Sequence, residues 1–167
     1  PNLLTGHQCE SATGWTSAYV GTNNSSLTRT VNSTTKYLGA GSIKLLSNSK
    51  ISGSLAGYKQ TVTLEADTKY YLSGYILTEN VSGTGACLAV SNPNTSTSIA
   101  FTSEYVNGTT DKAINDGWQR VSFPFTSAIA GTYTIYFGLE NCTGTAYFDC
   151  LQLEKSEYLS NANLLEN

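Results

Sequence analysis

Apolar residues in this chain recur at every second position, and no stretch carries a persuasive 3.6-residue period. Tyr70, Leu72, Gly74 and Ile76 alternate with Tyr71, Ser73, Tyr75 and Leu77. Ala86, Leu88 and Val90 alternate with Cys87, Ala89 and Ser91, and Val121, Phe123 and Phe125 with Arg120, Ser122 and Pro124. Ile135, Phe137 and Leu139 alternate with Thr134, Tyr136 and Gly138, and Leu151 and Leu153 with Cys150 and Gln152. Successive side chains of a strand point to opposite faces, so each run has one face for a core and one for water. Clusters such as Asn80-Val81-Ser82-Gly83-Thr84-Gly85 and Asn115-Asp116-Gly117 read as turns between runs. Eight to ten short strands at this spacing predict an all-β chain, an antiparallel β-sandwich of two sheets. Its core would hold Val62, Leu72, Leu88, Val90, Val121, Phe123, Ile135, Phe137, Leu151 and Leu153. Pro124 cannot donate to a ladder, so its strand is expected at an edge or bulged there. The long polar segment 92–117 is expected to carry only short, irregular strands.

Composition narrows the partners. The 167 residues amount to one domain, with 9 basic and 12 acidic side chains and a net charge of -3. No basic excess exists to neutralise phosphates, so nucleic acid is not an expected partner. No apolar run approaches the roughly 18 residues of a membrane span, so no membrane insertion is expected. Ser, Thr and Asn make up about a third of the chain, and strong helix formers are scarce. This points to a secreted or cell wall-attached, extracellular domain. The chain opens at Pro1 without an initiator Met, and its ends resemble each other: Asn2-Leu3-Leu4 recurs as Asn163-Leu164-Leu165. That suggests a monomeric module in a tandem array, with residues 1–154 as the domain, 155–162 as a linker and 163–167 as the start of a following repeat.

Catalytic constellations do not assemble. His7 is the single histidine, so any Ser-His-Asp relay would depend on it, and the spacing of the carboxylates selects no pair for glycoside hydrolysis. No glycine-rich phosphate loop opens a helix. A non-catalytic role is expected.

Five motifs in order carry a family resemblance. These are Asn2-Leu3-Leu4 with Cys9-Glu10 and Gly14-Trp15; Tyr37-Leu38-Gly39-Ala40-Gly41-Ser42-Ile43-Lys44-Leu45; Tyr70-Tyr71-Leu72-Ser73-Gly74-Tyr75; Gly117-Trp118-Gln119-Arg120-Val121; and Ala146-Tyr147-Phe148-Asp149-Cys150-Leu151-Gln152-Leu153-Glu154. Together they resemble the β-jelly-roll carbohydrate-binding modules around families four, nine and twenty-two, found in tandem in large bacterial cell-surface proteins. The resemblance implies a galactose-binding-like jelly roll, a polysaccharide or glycan as partner, and a structural calcium ion. Glu10 and Asp149 match the two carboxylates that hold that calcium, and backbone carbonyls near Gln8 and in the Gly39–Ser42 turn would complete its shell. Two family positions are replaced, a Phe by Cys9 and an Asp by Cys150. Since the family's first and last strands are neighbours, their joint replacement suggests a Cys9–Cys150 disulfide. Cys87 and Cys142 remain, and the other reading leaves all four as buried free thiols.

Sugars are recognised by aromatic faces and planar polar groups. The phasing of the strands puts Tyr71, Tyr75, Arg120, Tyr136 and Glu140 opposite the apolar set, as an expected carbohydrate-binding groove, with Tyr105 as an alternative rim contact. Trp15 and Trp118 match family positions that pack the fold. The rival reading is a structural or adhesive spacer with no sugar ligand.

Overall fold

The computed structural model describes residues 1–156. Nine antiparallel strands form among them: β1 (Thr16–Gly21), β2 (Thr28–Asn32), β3 (Ser42–Ser47), β4 (Ser54–Leu64), β5 (Thr68–Ser91), β6 (Ile99–Thr102), β7 (Val106–Gly108), β8 (Gln119–Ser127) and β9 (Gly131–Lys155). A single 3-10 turn lies at Asn115–Gly117. Lys155, expected as the first linker residue, still belongs to β9. The rest of the expected linker beyond Ser156, and the expected repeat start at 163–167, lie outside the described residues.

β5 and β9 organise everything else. They pair with each other from Tyr70↔Lys155 to Val90↔Ile135. The first half of β5 has β8 on its other side, and the second half of β9 has β3 and then β2; these five form sheet A. The second half of β5 borders β6 and β7, and the first half of β9 borders β4 and then β1; these form sheet B. Hydrogen bonding is therefore continuous through one sheet that folds over onto itself, giving the two layers of a jelly roll.

The cluster Asn80–Gly85, expected as a turn, is no turn at all. The chain passes through it inside β5, with a register shift between Glu79 and Ser82, and the same happens at Asn141–Gly144 inside β9. The polar residues provide the bend instead. Asn80, Gly83, Gly85, Asn141 and Gly144 all take positive φ, which lets the paired strands turn without losing their ladder. Gly144 is obligatory there: a Cβ on it would lie 2.5 Å from the Asn80 carbonyl oxygen of the partner strand.

The alternating apolar residues meet between the layers. Phe137 and Phe148 lie on the two halves of β9, yet their rings are 4.8 Å apart. Trp15 meets Phe137 edge-on at 4.7 Å and donates its indole N–H to the Gly6 carbonyl at 3.0 Å. Eight of the ten expected core residues are buried. Val62 and Phe123 are only partly so, because Val62 lies beyond the reach of β1 and Phe123 lies on the edge strand. Pro124 is also on that edge strand, which pairs with β5 alone. The opening Asn-Leu-Leu is held against β9. Leu3 N–H donates to the Leu153 carbonyl at 2.9 Å, while the Asn2 amide donates to the Leu151 carbonyl and accepts from Leu153 N–H. The first and last segments are thus neighbours, as expected.

Replacing Gly144 by Ala forces a side chain into a left-handed conformation and against a backbone carbonyl. Stability measured by urea unfolding should fall by at least about 1–3 kcal/mol. An unchanged midpoint would contradict the role given to the bend.

Candidate functional site

The outer face of sheet A collects the polar and aromatic side chains of three neighbouring strands. Tyr71 stands beside Glu154 on β9 and Pro124 on β8, Ser73 beside Gln152 and Ser122, and Tyr75 beside Arg120. Two small serines thus form a floor between taller rows. Tyr71, Arg120, Gln152 and Glu154 wall an open groove of about 360 Å³ over Ser73 and Ser122. Arg120 and Glu154 line this same groove, yet neither side chain makes an ion pair or hydrogen bond among the described residues. Lys69 lies 5.3 Å from the Tyr71 ring centroid.

Tyr75 has a different fate. The Tyr37 ring from the β2–β3 loop stacks on it at 3.7 Å and 16°, and Trp118 meets Tyr37 at 62°. With Leu77 and Tyr147 these rings form a small apolar cluster on the outer face, so Trp118 packs there and not in the central core. The neighbouring Tyr37 hydroxyl, and after it burial, raises the Tyr75 hydroxyl pKa above its ordinary value. Neither Tyr37 nor this stack was foreseen, because the loop that brings Tyr37 over the face carries no periodicity.

Tyr136 and Glu140 are not on this face. Both precede the bend in β9, so they sit on the outer side of sheet B. Tyr136 is 2% exposed and packs with Leu55, Cys87 and Ala89, and its hydroxyl donates to the Ser96 carbonyl. Burial raises its pKa. Glu140 accepts a hydrogen bond from the Tyr105 hydroxyl at 2.7 Å. The expected five-residue groove therefore divides: Tyr71, Tyr75 and Arg120 stay together, and Tyr136 and Glu140 belong to the opposite surface. Parity correctly identified the outer side of each strand but could not tell which sheet that side belonged to.

Glu10 and Asp149 converge on the turn between β2 and β3. Asp149 is fully buried; its Oδ2 accepts from Tyr37 N–H at 2.9 Å and Leu38 N–H at 3.1 Å, and its Oδ1 from Cys150 N–H at 2.8 Å. Burial nonetheless pushes its carboxyl above the usual carboxylate range, against the pull of those donors. Glu10 Oε1 accepts from Ala40 N–H at 3.1 Å, and Gly39 leaves room for it, since a Cβ there would be 2.1 Å from that oxygen. Two carboxylates are oxygen donors of the kind calcium takes, although among the described residues no third acidic, His or Cys side chain joins them. In the structure itself both carboxylates serve as anchors for the N–H groups of the turn.

The expected Cys9–Cys150 bridge is not formed; all four cysteines are free thiols. The two lie near enough to influence each other electrostatically, but both backbones are left-handed, at φ 54° and 51°, and the sulfurs turn elsewhere. Cys9 Sγ faces the His7 carbonyl and Cys150 Sγ the Asp149 carboxylate.

No protein-family model and no curated protein matches the chain. Solved structures do match its fold, and most of those most similar are carbohydrate-binding modules. One is a family-61 module in complex with β-1,4-galactotriose (TM-score 0.60, 12% identity, 93% of this chain and 99% of that one). A family-4 module gives 0.61 and 15%, over 92% of this chain and 99% of that one. A few similar chains are enzymes: against the enzymatically active domain of a bacteriophage CBA120 tailspike (0.59, 13%), this chain is matched over 92% of its length but spans only 21% of that chain. The shared property is the β-sandwich jelly roll.

A buried and a half-buried thiol bear on alkaline stability. Burial pushes Cys142 up to about 11 and Cys150 up to about 12, above an ordinary value near 9. Between those values the unfolded chain loses thiol protons that the folded chain keeps, so stability should fall as pH rises from 9 toward 12. Urea midpoints across that window check it, and Cys150→Ser should lessen the slope. A slope that Cys150→Ser leaves unchanged would show that folding does not shift this thiol's pKa.

Proposed function

We propose that this chain is a non-catalytic carbohydrate-binding module of a larger secreted or surface-attached protein, and that it binds its glycan in the groove on the outer face of sheet A. The observation that carries the reading is the pair of unpartnered charges. Arg120 and Glu154 share one groove beside an aromatic ring and a planar amide, Gln152, yet do not neutralise each other. A guanidinium, a carboxylate and an amide each bridge vicinal hydroxyls, and the Tyr71 ring offers a face to sugar C–H groups. The predominance of carbohydrate-binding modules among the similar folds supports the class.

Tyr71→Ala and Arg120→Ala should each weaken binding to a glycan selected on an array by about 1–3 kcal/mol, the scale of aromatic stacking and of hydrogen bonds to charged groups. Calorimetric titration reads this directly. Tyr136→Ala should leave affinity unchanged while lowering stability, because its ring packs under the 92–98 segment. Affinity lost only in Tyr136→Ala would move the site to sheet B. Silence of the parent domain on a broad panel would give the chain the role of a spacer.

Calcium is part of the same proposal, held by Glu10 and Asp149 at the chain ends. The convergence of both carboxylates on one turn supports it. Calcium would hold the Tyr37–Ala40 turn, and with it the ring that covers Tyr75. Added calcium should raise the melting temperature of chelator-treated protein, and Glu10→Gln should abolish the rise. No difference between calcium and chelator would remove the ion from the account.

A further inference from the structure

We infer that the glycan is built of N-acetylated amino sugars and that an acetamido group seats in the cavity beside Trp118. This rests on the glycan reading above and adds the substrate class. The cavity measures about 430 Å³ and is lined by Asp111, Ile114, Asn115, Trp118 and Arg120, among others. That is within the range of small-ligand sites. Arg120 also walls the groove over Ser73 and Ser122, so cavity and groove are neighbours that share one side chain.

Three solvent-reachable groups around this cavity have no partner among the described residues. The first is the Trp118 indole. Trp15 donates its ring N–H to a carbonyl, whereas the Trp118 N–H donates to no atom of the described residues. Trp118 is only 5% exposed, yet the one enclosed, unpartnered side-chain N or O among the described residues is Ser54 Oγ, so the Trp118 nitrogen is open to an incoming acceptor. The second is Ile114, 68% exposed, an apolar side chain standing at the mouth of the cavity with no core to join. The third is Asn115, whose Nδ2 donates to the Trp118 carbonyl at 3.3 Å, leaving its Oδ1 without a donor.

An acetamido group answers all three. Its methyl suits Ile114, its carbonyl oxygen accepts the indole N–H, and its own N–H donates to Asn115 Oδ1. A sugar bearing a hydroxyl at that carbon would set a polar group against Ile114 and make no apolar contact there. The loop is held in shape for this: Asp111 Oδ1 accepts Ala113 N–H at 2.9 Å, and the Asp111 carbonyl accepts Ile114 N–H.

The test is calorimetric titration of the domain with triacetylchitotriose and cellotriose, which share a β-1,4 glucose backbone and differ in the acetamido group. Triacetylchitotriose should bind at least about tenfold more tightly, as expected for one added hydrogen bond with apolar contact. Ile114→Ser, at an exposed position, should cut that preference several-fold without changing the melting temperature. Trp118→Phe keeps a ring but removes the N–H, and should also cut the preference, with some loss of melting temperature because Trp118 packs against Tyr37 and Leu77. Equal or tighter binding of cellotriose, or no binding of either trisaccharide, would overturn the inference. If another glycan then binds and Tyr71→Ala abolishes that binding, the glycan reading survives alone; if no glycan binds, both fall.

Discussion

The antiparallel pairing of β5 with β9 is the constraint on which the rest of the molecule depends. These strands have 24 and 25 residues. Extended straight, each would reach about 80 Å at 3.4 Å per residue. A chain of this length folds into a globule with a radius of gyration of about 15 Å. The pair must therefore bend, and it bends where asparagines and glycines accept positive φ, without breaking the ladder. Each strand then serves both layers, and every other strand docks on one half or the other.

That single bend decides which side chains can act together. Before it, the outward residues of β9 lie on sheet B, where the 92–105 segment covers Tyr136 and links Tyr105 to Glu140. After it, they lie on sheet A beside β5 and β8, where Arg120 and Glu154 stay unpaired over two serines. Tyr136 and Glu140 on sheet B are satisfied internally, whereas the charged side chains of the sheet A groove have no partner among the described residues. Asp149 ties the two ideas together: from inside sheet A it fixes the Tyr37–Leu38 backbone, which places the Tyr37 ring over Tyr75.

Much of this was legible in the alternation of apolar residues. Leu72, Leu88, Phe137 and Leu153 are inside because their parity says so, and Pro124 lies at an edge because it lacks an N–H. Two features were not legible. Asn80–Gly85 has the composition of a turn, and only the long-range pairing with β9 shows that it is a bend within a strand. The grouping of Tyr136 with Tyr75 failed for the same reason, since parity is local and sheet membership is not. The cysteines are a related case: Cys9 and Cys150 influence each other electrostatically, but one sulfur faces the His7 carbonyl and the other the Asp149 carboxylate.

The central claim is that ligand recognition belongs to the outer face of sheet A. Amide shift mapping on the isotopically labelled domain, titrated with a glycan chosen from an array, tests it most directly. Shifts should concentrate at Tyr71, Ser73, Arg120, Ser122, Gln152 and Glu154, with the amides of Lys59, Tyr136 and Glu140 unmoved. Shifts centred on those sheet B residues, with the sheet A groove silent, would contradict the account.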